Sequence, residues 1–263
     1  MKFEAFSILE KVRAEKPVVH HLTNWVTIYD CANVVKTLGA SPVMAHAPEE
    51  AADMAQIASS LVLNIGTLDP AFVASMKLAA KSANKKGIPV VLDVCGAGAT
   101  KLRDNACVDL LDSVRIDVIK GNASEVARVA GKKVTTRGVD STEVSHNLAE
   151  IAASLAGYRA CTVVITGAED IICGRQRLSV RNGHPMMADI VGTGCMAASV
   201  IGTFCAVEKD LARASAAGLV CFEVAAELAA KKAKGTGSFK EALFDELYRL
   251  GRKTVERMQK VSQ

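Results

Sequence analysis

The fold is decided by residues 60–98, SLVLNIGTLDPAFVASMKLAAKSANKKGIPVVLDVCGAG. Residues 60–66 form a short apolar run, which predicts a buried strand, and residues 88–98 begin with a second such strand and end in a glycine-rich loop. Between them, residues 69–87 have the length of a helix and finish at Gly87, a residue type that commonly terminates helices. Nearly continuous apolar strands joined by helices indicate a parallel sheet covered on both faces.

The same alternation continues along the chain. Residues 115–122 and 161–167 are predicted strands, and residues 171–183 are a predicted hairpin or edge pair. Further helices are predicted at 123–131, at 146–158, as two long helices within 194–234 and as a final helix at about 238–260. The predicted fold class is α/β, with a mostly parallel central sheet and helices on both faces. No linker or repeat interrupts the pattern and the polar residues 131–142 are a predicted surface loop, so we expect one domain over residues 1–263.

Composition excludes several classes of protein. The net charge is +4, from 32 basic and 28 acidic residues without a basic, aromatic-rich stripe, which argues against nucleic-acid binding. The first sixteen residues have the pattern of an amphipathic helix and not of a signal peptide. No apolar stretch approaches the roughly 18 residues that a membrane span needs. The eight cysteines contain no Cys-x-x-Cys pair, which favours reduced thiols and a cytoplasmic protein without membrane or nucleic-acid partners.

Chemistry-bearing residues follow the predicted strands. Ligands of parallel α/β sheets bind beyond the carboxyl ends of the strands. The residues at that edge are Asn64 and Gly66; Asp93, Gly96 and Gly98; Lys120, Asn122 and Glu125; and Thr166 and Gly167. Each of them alone is explained equally well as a turn or a helix cap. Their convergence on one edge is what predicts a site.

The turn at residues 189–196, DIVGTGCM, adds a further element to this edge. It leads into an apolar run that predicts a buried helix, and a helix N-terminus attracts anions through unpaired N–H groups and a partial positive charge. Gly192 and Gly194 would let an anion approach the backbone closely. Cys195 would accept the proton of an attacking alcohol, since a thiol pKa of about 8.5 falls at a helix N-terminus. A buried Cys195 without a role explains the sequence equally well.

These residues fit phosphoryl transfer, which depends on positioning and charge neutralisation. Asn122 and Glu125 are one helical turn apart and could hold Mg²⁺ through water, with Asp93 in the same shell. Lys120 offers a point charge to a phosphate, and Thr166 could contact another phosphate.

A second cluster lies near the N-terminus, in residues 18–26 and 39–54. It contains Asn24, Met44 and Trp25, the only tryptophan, and predicts a small pocket with an apolar or aromatic wall. The histidines of the cluster lack the spacing of metal ligands, and we expect them to be structural or solvent-facing.

Both clusters resemble the hydroxyethylthiazole kinase family. The runs that carry the resemblance are collinear over roughly residues 17–208 and read HLTNWV, GASPVMAHAPEE, LVLNIGTL, VVLD with GAGAT, GNASE, GVDS, ITG and GTGCM. The resemblance implies a ribokinase-like fold, ATP as phosphate donor and Mg²⁺ as cofactor. It implies phosphorylation of the primary alcohol of 4-methyl-5-(2-hydroxyethyl)thiazole in thiamine biosynthesis or salvage. It also implies a homotrimer with active sites between subunits.

The resemblance assigns roles by position. It implies that the thiazole is lined by Asn24, Val26, Met44 and Gly66, that Gly192 and Gly194 form the anion hole, and that Cys195 takes the place of the catalytic Asp of related sugar kinases. It implies that ATP contacts Lys120, Asn122 and Thr166, and that Mg²⁺ and its water are organised by Asp93 and Glu125. The chain departs from the family pattern with Lys120 for Arg, with Val94-Cys95 for Pro-Val and with Tyr29-Asp30 for an Asn pair.

Three alternatives remain open from the sequence. The first is a kinase of the same fold that acts on another heteroaromatic alcohol, such as hydroxymethylpyrimidine or pyridoxal. The second is a dinucleotide-dependent oxidoreductase, which GAGAT supports weakly because it follows a middle strand and lacks the third glycine. The third is a non-catalytic small-molecule binder.

Overall fold

The computed structural model describes residues 3–131 and 148–263. Within them, a single sheet has the order β2-β1-β3-β4-β5-β6-β7-β8-β9. Its strands are β1 (Val18–Leu22), β2 (Ser41–Val43), β3 (Ser60–Asn64), β4 (Val90–Asp93), β5 (Val118–Asn122), β6 (Thr162–Thr166), β7 (Asp170–Cys173), β8 (Arg177–Val180) and β9 (Val261–Ser262). Strands β1 to β6 pair in parallel, and β7 to β9 continue the sheet as antiparallel neighbours. The predicted fold class, a mostly parallel sheet with helices around it, is confirmed.

The helices lie on both faces of the sheet. They are α1 (Ala5–Glu15), α2 (Ile28–Leu38), α3 (Ala51–Ile57), α4 (Pro70–Lys86), α5 (Lys101–Ser113), α6 (Ala123–Val129), α7 (Leu148–Arg159), α8 (Thr193–Cys205), α9 (Leu211–Ala230), α10 (Thr236–Arg249) and α11 (Arg252–Met258). Among the described residues, no helix is both long and apolar enough to cross a membrane.

Local sequence signals fix helix α4 at both ends. The Asp69 side chain accepts a hydrogen bond from the Phe72 N–H at 2.8 Å and caps the first turn, where Pro70 already has the right φ. Gly87 ends the helix with a φ of +83°, a conformation that glycine adopts without strain. The helix predicted between two buried strands is therefore confirmed.

Two hydrophobic cores separate the helices into layers. Successive side chains of a strand point to opposite faces, so Val62 packs under the layer that contains α8 and α9, whereas Leu61 and Leu63 pack under α4 and α5. Burial on both faces explains why the central strands are apolar along their length.

Two predictions need correction. The predicted final helix at about 238–260 is two helices, α10 and α11, separated at Leu250 and Gly251, with β9 after them. The N-terminal segment VVHHL was not predicted as a strand, yet it is β1, because it pairs in parallel with both β2 and β3, and its two histidines are buried.

Some predicted features lie outside the described residues. They are the polar loop at 131–142 apart from Gly131, the GVDS run and the first two residues of the helix predicted at 146–158.

The N-terminal helix α1 is tied to the region of α10 and α11. The Arg13 guanidinium donates to the carbonyl oxygens of Leu250 at 2.9 Å and Tyr248 at 3.2 Å, at the end of α10. The Gln259 side chain donates to the Phe3 carbonyl at 2.7 Å. A cation at a helix C-terminus is favourable because it satisfies the last carbonyls and the helix dipole.

Candidate active site

The parallel register brings the predicted strand-end residues together. Asn64 lies opposite Asp93 in the β3–β4 pair, and Asp93 lies opposite Lys120 in the β4–β5 pair. Asn122 lies opposite Thr166 in the β5–β6 pair. Polar residues that end consecutive strands of the chain therefore meet at the carboxyl edge of the sheet, as the sequence predicts.

Cys195 lies in the first turn of α8 and faces this edge. Its Sγ accepts hydrogen bonds from Asn24 Nδ2 at 3.2 Å and from Asn64 Nδ2 at 3.3 Å. The Asn64 amide also donates to Asp93 Oδ2 at 2.7 Å, which joins the sulfur to the carboxylate. We call Asn24, Asn64, Asp93, Lys120 and Cys195 the edge cluster.

A buried ion pair forms the base of the edge cluster. Lys120 Nζ donates to the Gly194 carbonyl at 2.9 Å and lies 3.5 Å from Asp93 Oδ1, with both side chains almost fully buried. Burial raises the pKa of Asp93, and the Lys120 ammonium opposes this rise. Burial alone would lower the pKa of Lys120, but the acids around it, Asp93 first, raise it above its usual value. Lys120 is therefore a buried cation that contacts the start of α8.

The Cys195 thiol is acidic. Its pKa falls to about 5, first because the Cys95 side chain hydrogen-bonds to it and, against the effect of burial, because Lys120 is close. The pKa of Cys95 is raised, first by its interaction with the Cys195 side chain and then by burial. The lowered pKa favours the thiolate form of Cys195, whose sulfur accepts hydrogen bonds from the amide groups of Asn24 and Asn64.

The turn before α8 has the features expected of an anion hole. Gly192 has a φ of +98° and is the N-cap of α8, without a side chain that caps the first turn. A Cβ at Gly192 would lie 2.6 Å from Thr27 Cγ2, and a Cβ at Gly194 would lie 3.3 Å from Lys120 Nζ. Both glycines therefore allow close approach, and the first N–H groups of α8 remain available to an anion.

Both carboxylate oxygens of Glu125 accept hydrogen bonds from backbone N–H groups. With Asn122 it forms a capping box at the start of α6, in which the Asn122 N–H donates to Glu125 Oε2 at 2.8 Å. Its other oxygen accepts from the Gly96 N–H at 2.6 Å, which fixes the glycine loop after β4. Burial raises the pKa of Glu125, and Lys120 together with these N–H donors opposes the rise.

Asp93 and Glu125 are not arranged as a direct cation shell. Their oxygens already face protein donors, and no group of three or more Asp, Glu, His or Cys among residues 3–131 and 148–263 could hold a metal ion. The donor set fits Mg²⁺ held through water, which this ion commonly retains. The roles of Asp93 and Glu125 toward Mg²⁺ stay predictions.

The predicted nucleotide residues are neighbours. Asn122 Oδ1 accepts from the Glu125 N–H at 3.0 Å, and Thr166 Oγ1 lies 3.4 Å from the Gly121 carbonyl, which it faces as a donor. Lys120, predicted to bind ATP with them, points inward to Gly194 and Asp93. Contact between these residues and ATP remains a prediction.

The predicted thiazole residues divide into two groups. Asn24 and Gly66 belong to the hydrogen-bonded centre, because the Gly66 N–H donates to Asn64 Oδ1 at 2.8 Å, beside Asn24. Val26 is 69% exposed and Met44 is half-buried just after β2. The roles of all four stay predictions.

Aromatic contacts lie beside the predicted thiazole residues. The ring of Trp25, next to Val26, contacts those of His46, near Met44, and of Phe72 in helix α4. The Trp25 ring centroid is 4.6 Å from that of His46 and 5.4 Å from that of Phe72. This agrees with an aromatic wall near Asn24.

Arg103 is a site residue that sequence reasoning missed. Its guanidinium donates to the carbonyls of Ile65 at 2.9 Å, Cys95 at 3.0 Å and Gly66 at 2.7 Å. It therefore holds the loops after β3 and β4 together. No local pattern reports such contacts, because the acceptors are backbone carbonyls and two of them lie 37 and 38 positions away.

The fold and the residues at the carboxyl edge of its sheet indicate the class of protein to which this chain belongs. A ribokinase-like superfamily protein from Enterococcus faecalis, 15% identical, has a TM-score of 0.64 and matches 94% of this chain and 95% of its own, a likeness that shows the ribokinase-like fold. The chain belongs to the hydroxyethylthiazole kinase family, whose model matches residues 9–253, and it is therefore a kinase. The recognised resemblance is confirmed.

Individual relatives are similar to this chain over nearly their full length. A hydroxyethylthiazole kinase of Methanosarcina mazei is 52% identical over 256 residues, which are 97% of this chain and 98% of the relative. The solved hydroxyethylthiazole kinase of Pyrococcus horikoshii has a TM-score of 0.89 at 38% identity and covers 98% of each chain.

Proposed function

We propose that this chain transfers the terminal phosphoryl group of ATP to the primary alcohol of 4-methyl-5-(2-hydroxyethyl)thiazole, in thiamine biosynthesis or salvage. The observation that carries the proposal is the position of the Cys195 sulfur, which accepts from two amide groups at the start of α8 in a chain of this family. The nearly full-length identity to hydroxyethylthiazole kinases supports the choice of substrate.

The chemistry follows from the edge cluster. The substrate hydroxyl lies against Cys195 Sγ, and its proton moves to the sulfur as the new O–P bond forms. The bond between the γ-phosphorus and its bridging oxygen breaks in the same step, and ADP leaves. A thiolate with a pKa near 5 is a weak base, but a loose transition state acidifies the hydroxyl before the proton leaves. The N–H groups at Gly192 to Cys195 receive the negative charge of the transferred group.

The surrounding residues orient the reactants. Asn24 and Asn64 hold the sulfur with their amide groups, so its position is fixed before substrate binds. Asn122, Thr166 and Lys120 serve the ATP side of the edge, Lys120 through its bond to the Gly194 carbonyl. Mg²⁺, held through water by Asp93 and Glu125, would neutralise phosphate charge when bound.

We also infer a homotrimer with active sites between subunits, in the cytoplasm, with the whole chain as one kinase domain. Apolar side chains beside the predicted thiazole residues support a partner surface, because Trp25 and Tyr29 are 45% and 77% exposed. All eight cysteines are free thiols, which agrees with a reducing compartment.

The experiment measures ADP release from Mg-ATP with the hydroxyethylthiazole, hydroxymethylpyrimidine and pyridoxal side by side. Turnover that depends on the thiazole is the expected result. Turnover only with another alcohol would overturn the substrate and retain the mechanism. Thiazole binding without turnover of any alcohol would identify a non-catalytic binder.

Variants of Cys195 test the role of the sulfur. Cys195→Ser is expected to lower kcat by about 100-fold, since a general base contributes about 10²–10⁴-fold and a serine hydroxyl accepts a proton poorly. Cys195→Asp should retain or raise activity. Full activity of the Ser variant, or a large loss with Asp, would contradict proton acceptance by Cys195.

A further inference from the structure

Thr27 is a buried threonine whose hydroxyl group does not serve the helix that it begins. It is the N-cap of α2, a position at which a threonine side chain commonly accepts a hydrogen bond from the first turn. No such bond forms here, and Thr27 Oγ1 instead donates to Asn24 Oδ1 at 3.0 Å. The Thr27 N–H donates to the same oxygen at 3.1 Å. Helix capping therefore does not explain this hydroxyl group.

The contact with Thr27 decides which way the Asn24 amide group faces. A backbone N–H can only donate, so the end of the amide beside Thr27 must be its oxygen. The nitrogen then faces the site, where Asn24 Nδ2 donates to Asn64 Oδ1 at 3.1 Å and to Cys195 Sγ at 3.2 Å. With the amide turned over, its oxygen would face two acceptors and its nitrogen would face a donor. The orientation that supplies a donor to the sulfur is therefore the one that Thr27 selects.

The second amide at the sulfur is held from a different side. Asn64 Oδ1 accepts from the Gly66 N–H at 2.8 Å, and Asn64 Nδ2 donates to Asp93 Oδ2 at 2.7 Å. Within the part of the chain that the structure describes, both donors to Asn24 Oδ1 come from Thr27. Asn24 therefore depends on Thr27 for its orientation, as Asn64 depends on Gly66 and Asp93.

The hydroxyl and the methyl group of Thr27 have separate contacts. The Cys31 thiol donates to Thr27 Oγ1 at 3.8 Å, which leaves the hydroxyl hydrogen for Asn24. The methyl group lies against the turn before α8, since a Cβ at Gly192 would be 2.6 Å from Thr27 Cγ2. Substitutions that remove one group and keep the other can therefore separate the two contacts.

We propose that Thr27 is a positioning residue of the reaction, whose hydroxyl fixes the Asn24 amide so that it donates to the Cys195 sulfur and holds it for the substrate hydroxyl. The effect on turnover rests on the proposed function, whereas the orientation of Asn24 does not. Hydrogen bonds run in one direction from Cys31 through Thr27 and Asn24 to the sulfur, and each one polarises the next. Their orientation is set before substrate binds, which lowers the cost of reaching the reactive geometry.

The experiment separates the hydroxyl from the methyl group in the full-length protein. Thr27→Val removes the hydroxyl and keeps the methyl, whereas Thr27→Ser does the reverse, and Thr27→Ala is a second variant without the hydroxyl. Thr203→Val is the matched control, because Thr203 is fully buried in α8 and its hydroxyl donates to the Ser199 carbonyl at 2.8 Å.

Two quantities are measured for each variant. The first is ADP release from Mg-ATP with the hydroxyethylthiazole. The second is the hydrogen-exchange rate of the Asn24 side-chain NH₂ group by NMR, whose signals are identified by their absence in Asn24→Ala. The exchange rate reports how firmly the amide is held and does not require turnover.

Without the hydroxyl, we expect kcat to fall about 5-fold and the exchange of the Asn24 NH₂ group to rise by a similar factor, the typical worth of a hydrogen bond between uncharged groups. The KM for ATP should not change, because the Thr27 side chain contacts none of the predicted ATP residues. Thr27→Ser and Thr203→Val should retain the wild-type values. In the Asn24→Ala background, Thr27→Val should have no further effect on kcat, since Thr27 acts through Asn24.

The proposal is overturned if Thr27→Ser loses activity while Thr27→Val keeps it, because the methyl contact alone would then matter. It is also overturned if Thr27→Val lowers kcat equally with and without Asn24, or if the exchange rate is the same in all variants. If the exchange rates follow the expected pattern but the wild type phosphorylates no alcohol, the proposed function fails and the orientation of Asn24 by Thr27 stands.

Discussion

Two buried polar clusters in this molecule are built in opposite ways. In the edge cluster, the Asp93 carboxylate has a cation in Lys120 and a donor in Asn64. Between β7 and α9, Asp170 and Glu223 form a carboxyl pair with interacting side chains, and each keeps a buried oxygen without a hydrogen-bond partner. The carboxylate of the first cluster has a cation beside it, whereas the two carboxyl groups of the second face each other.

The difference shows how each cluster responds to protons. Burial raises the pKa of Asp170, and burial together with the nearby Asp170 raises the pKa of Glu223. The carboxyl pair is therefore most favourable when it holds a proton, whereas the edge cluster depends on a paired charge. The proposed chemistry lies in the edge cluster, where a buried cation stands beside the carboxylate.

The largest effect should come from removing the buried cation. Lys120→Met leaves the buried Asp93 carboxyl without its ion-pair partner and should cost about 3–5 kcal/mol of unfolding free energy. Lys77→Met is the control, because the Lys77–Asp109 pair at 2.8 Å is more exposed and should be worth about 1 kcal/mol or less. Urea unfolding measures both. Equal losses of unfolding free energy in the two variants would refute the distinction between the buried ion pair of the edge cluster and a surface ion pair.

The second-largest effect concerns His21, a buried base. In contrast to the carboxyl pair, it destabilises the fold when it gains a proton. Burial lowers the pKa of His21 to about 4, and its Nε2 has no partner. The unfolded chain takes up this proton near pH 6.5 and the folded chain only near pH 4, so acid favours unfolding. About 3 kcal/mol should be lost across that window.

His21→Asn should flatten this acid limb of the stability profile, measured by urea unfolding from pH 7 to pH 4. His46→Asn is the control, because His46 is exposed. An unchanged slope in His21→Asn would show that other groups cause the acid limb.

A third test concerns the tightness of the edge cluster. Gly192→Ala places a Cβ 2.6 Å from Thr27 Cγ2 at a φ of +98°. The strain should cost about 1–3 kcal/mol, and kcat should fall because Thr27 donates to the same Asn24 that holds Cys195. Gly87→Ala is the control, with a φ of +83° but open space around it. If both variants keep full kcat, the turn does not position Cys195.

The smallest effect should appear in the carboxyl pair. Glu223 holds its proton to higher pH in the folded chain than in the unfolded chain, so its contribution to stability falls as pH rises above its unfolded value. Glu223→Gln removes this loss and should gain about 1 kcal/mol relative to wild type between pH 5 and pH 6.

Glu227→Gln is the control one turn further along α9. Glu227 accepts from Asn182 at 3.0 Å and Lys260 at 2.9 Å, so its neutralisation should destabilise instead. Parallel pH profiles for Glu223→Gln and wild type would mean that the carboxyl pair shares no proton.

The sequence predicts what local rules control. Asp69 and Gly87 bound a helix by capping and by a positive φ, and apolar runs mark strands buried on both faces. Because parallel strands share their carboxyl edge, polar residues after those runs, such as Asn64 and Asp93, also predict where the site lies.

Other features depend on contacts that no local pattern contains. β1 carries two histidines and was not predicted as a strand, and only the packed structure shows that it is buried. The capping role of Glu125 could be predicted from its spacing to Asn122, but not its second bond to Gly96. The contacts of Arg103 join two loops that only the tertiary fold brings together.

The link between Arg13 and the end of α10 has a kinetic consequence. Its hydrogen bonds to Leu250 and Tyr248 join residues 237 and 235 positions apart, and Gln259 reaches Phe3 across 256 positions. Contacts of such separation slow folding, because loop-closure entropy is lost before they form. During synthesis, helix α1 cannot form its contacts with the region of α10 and α11 until nearly the whole described chain has emerged. Until then, part of its apolar face stays uncovered.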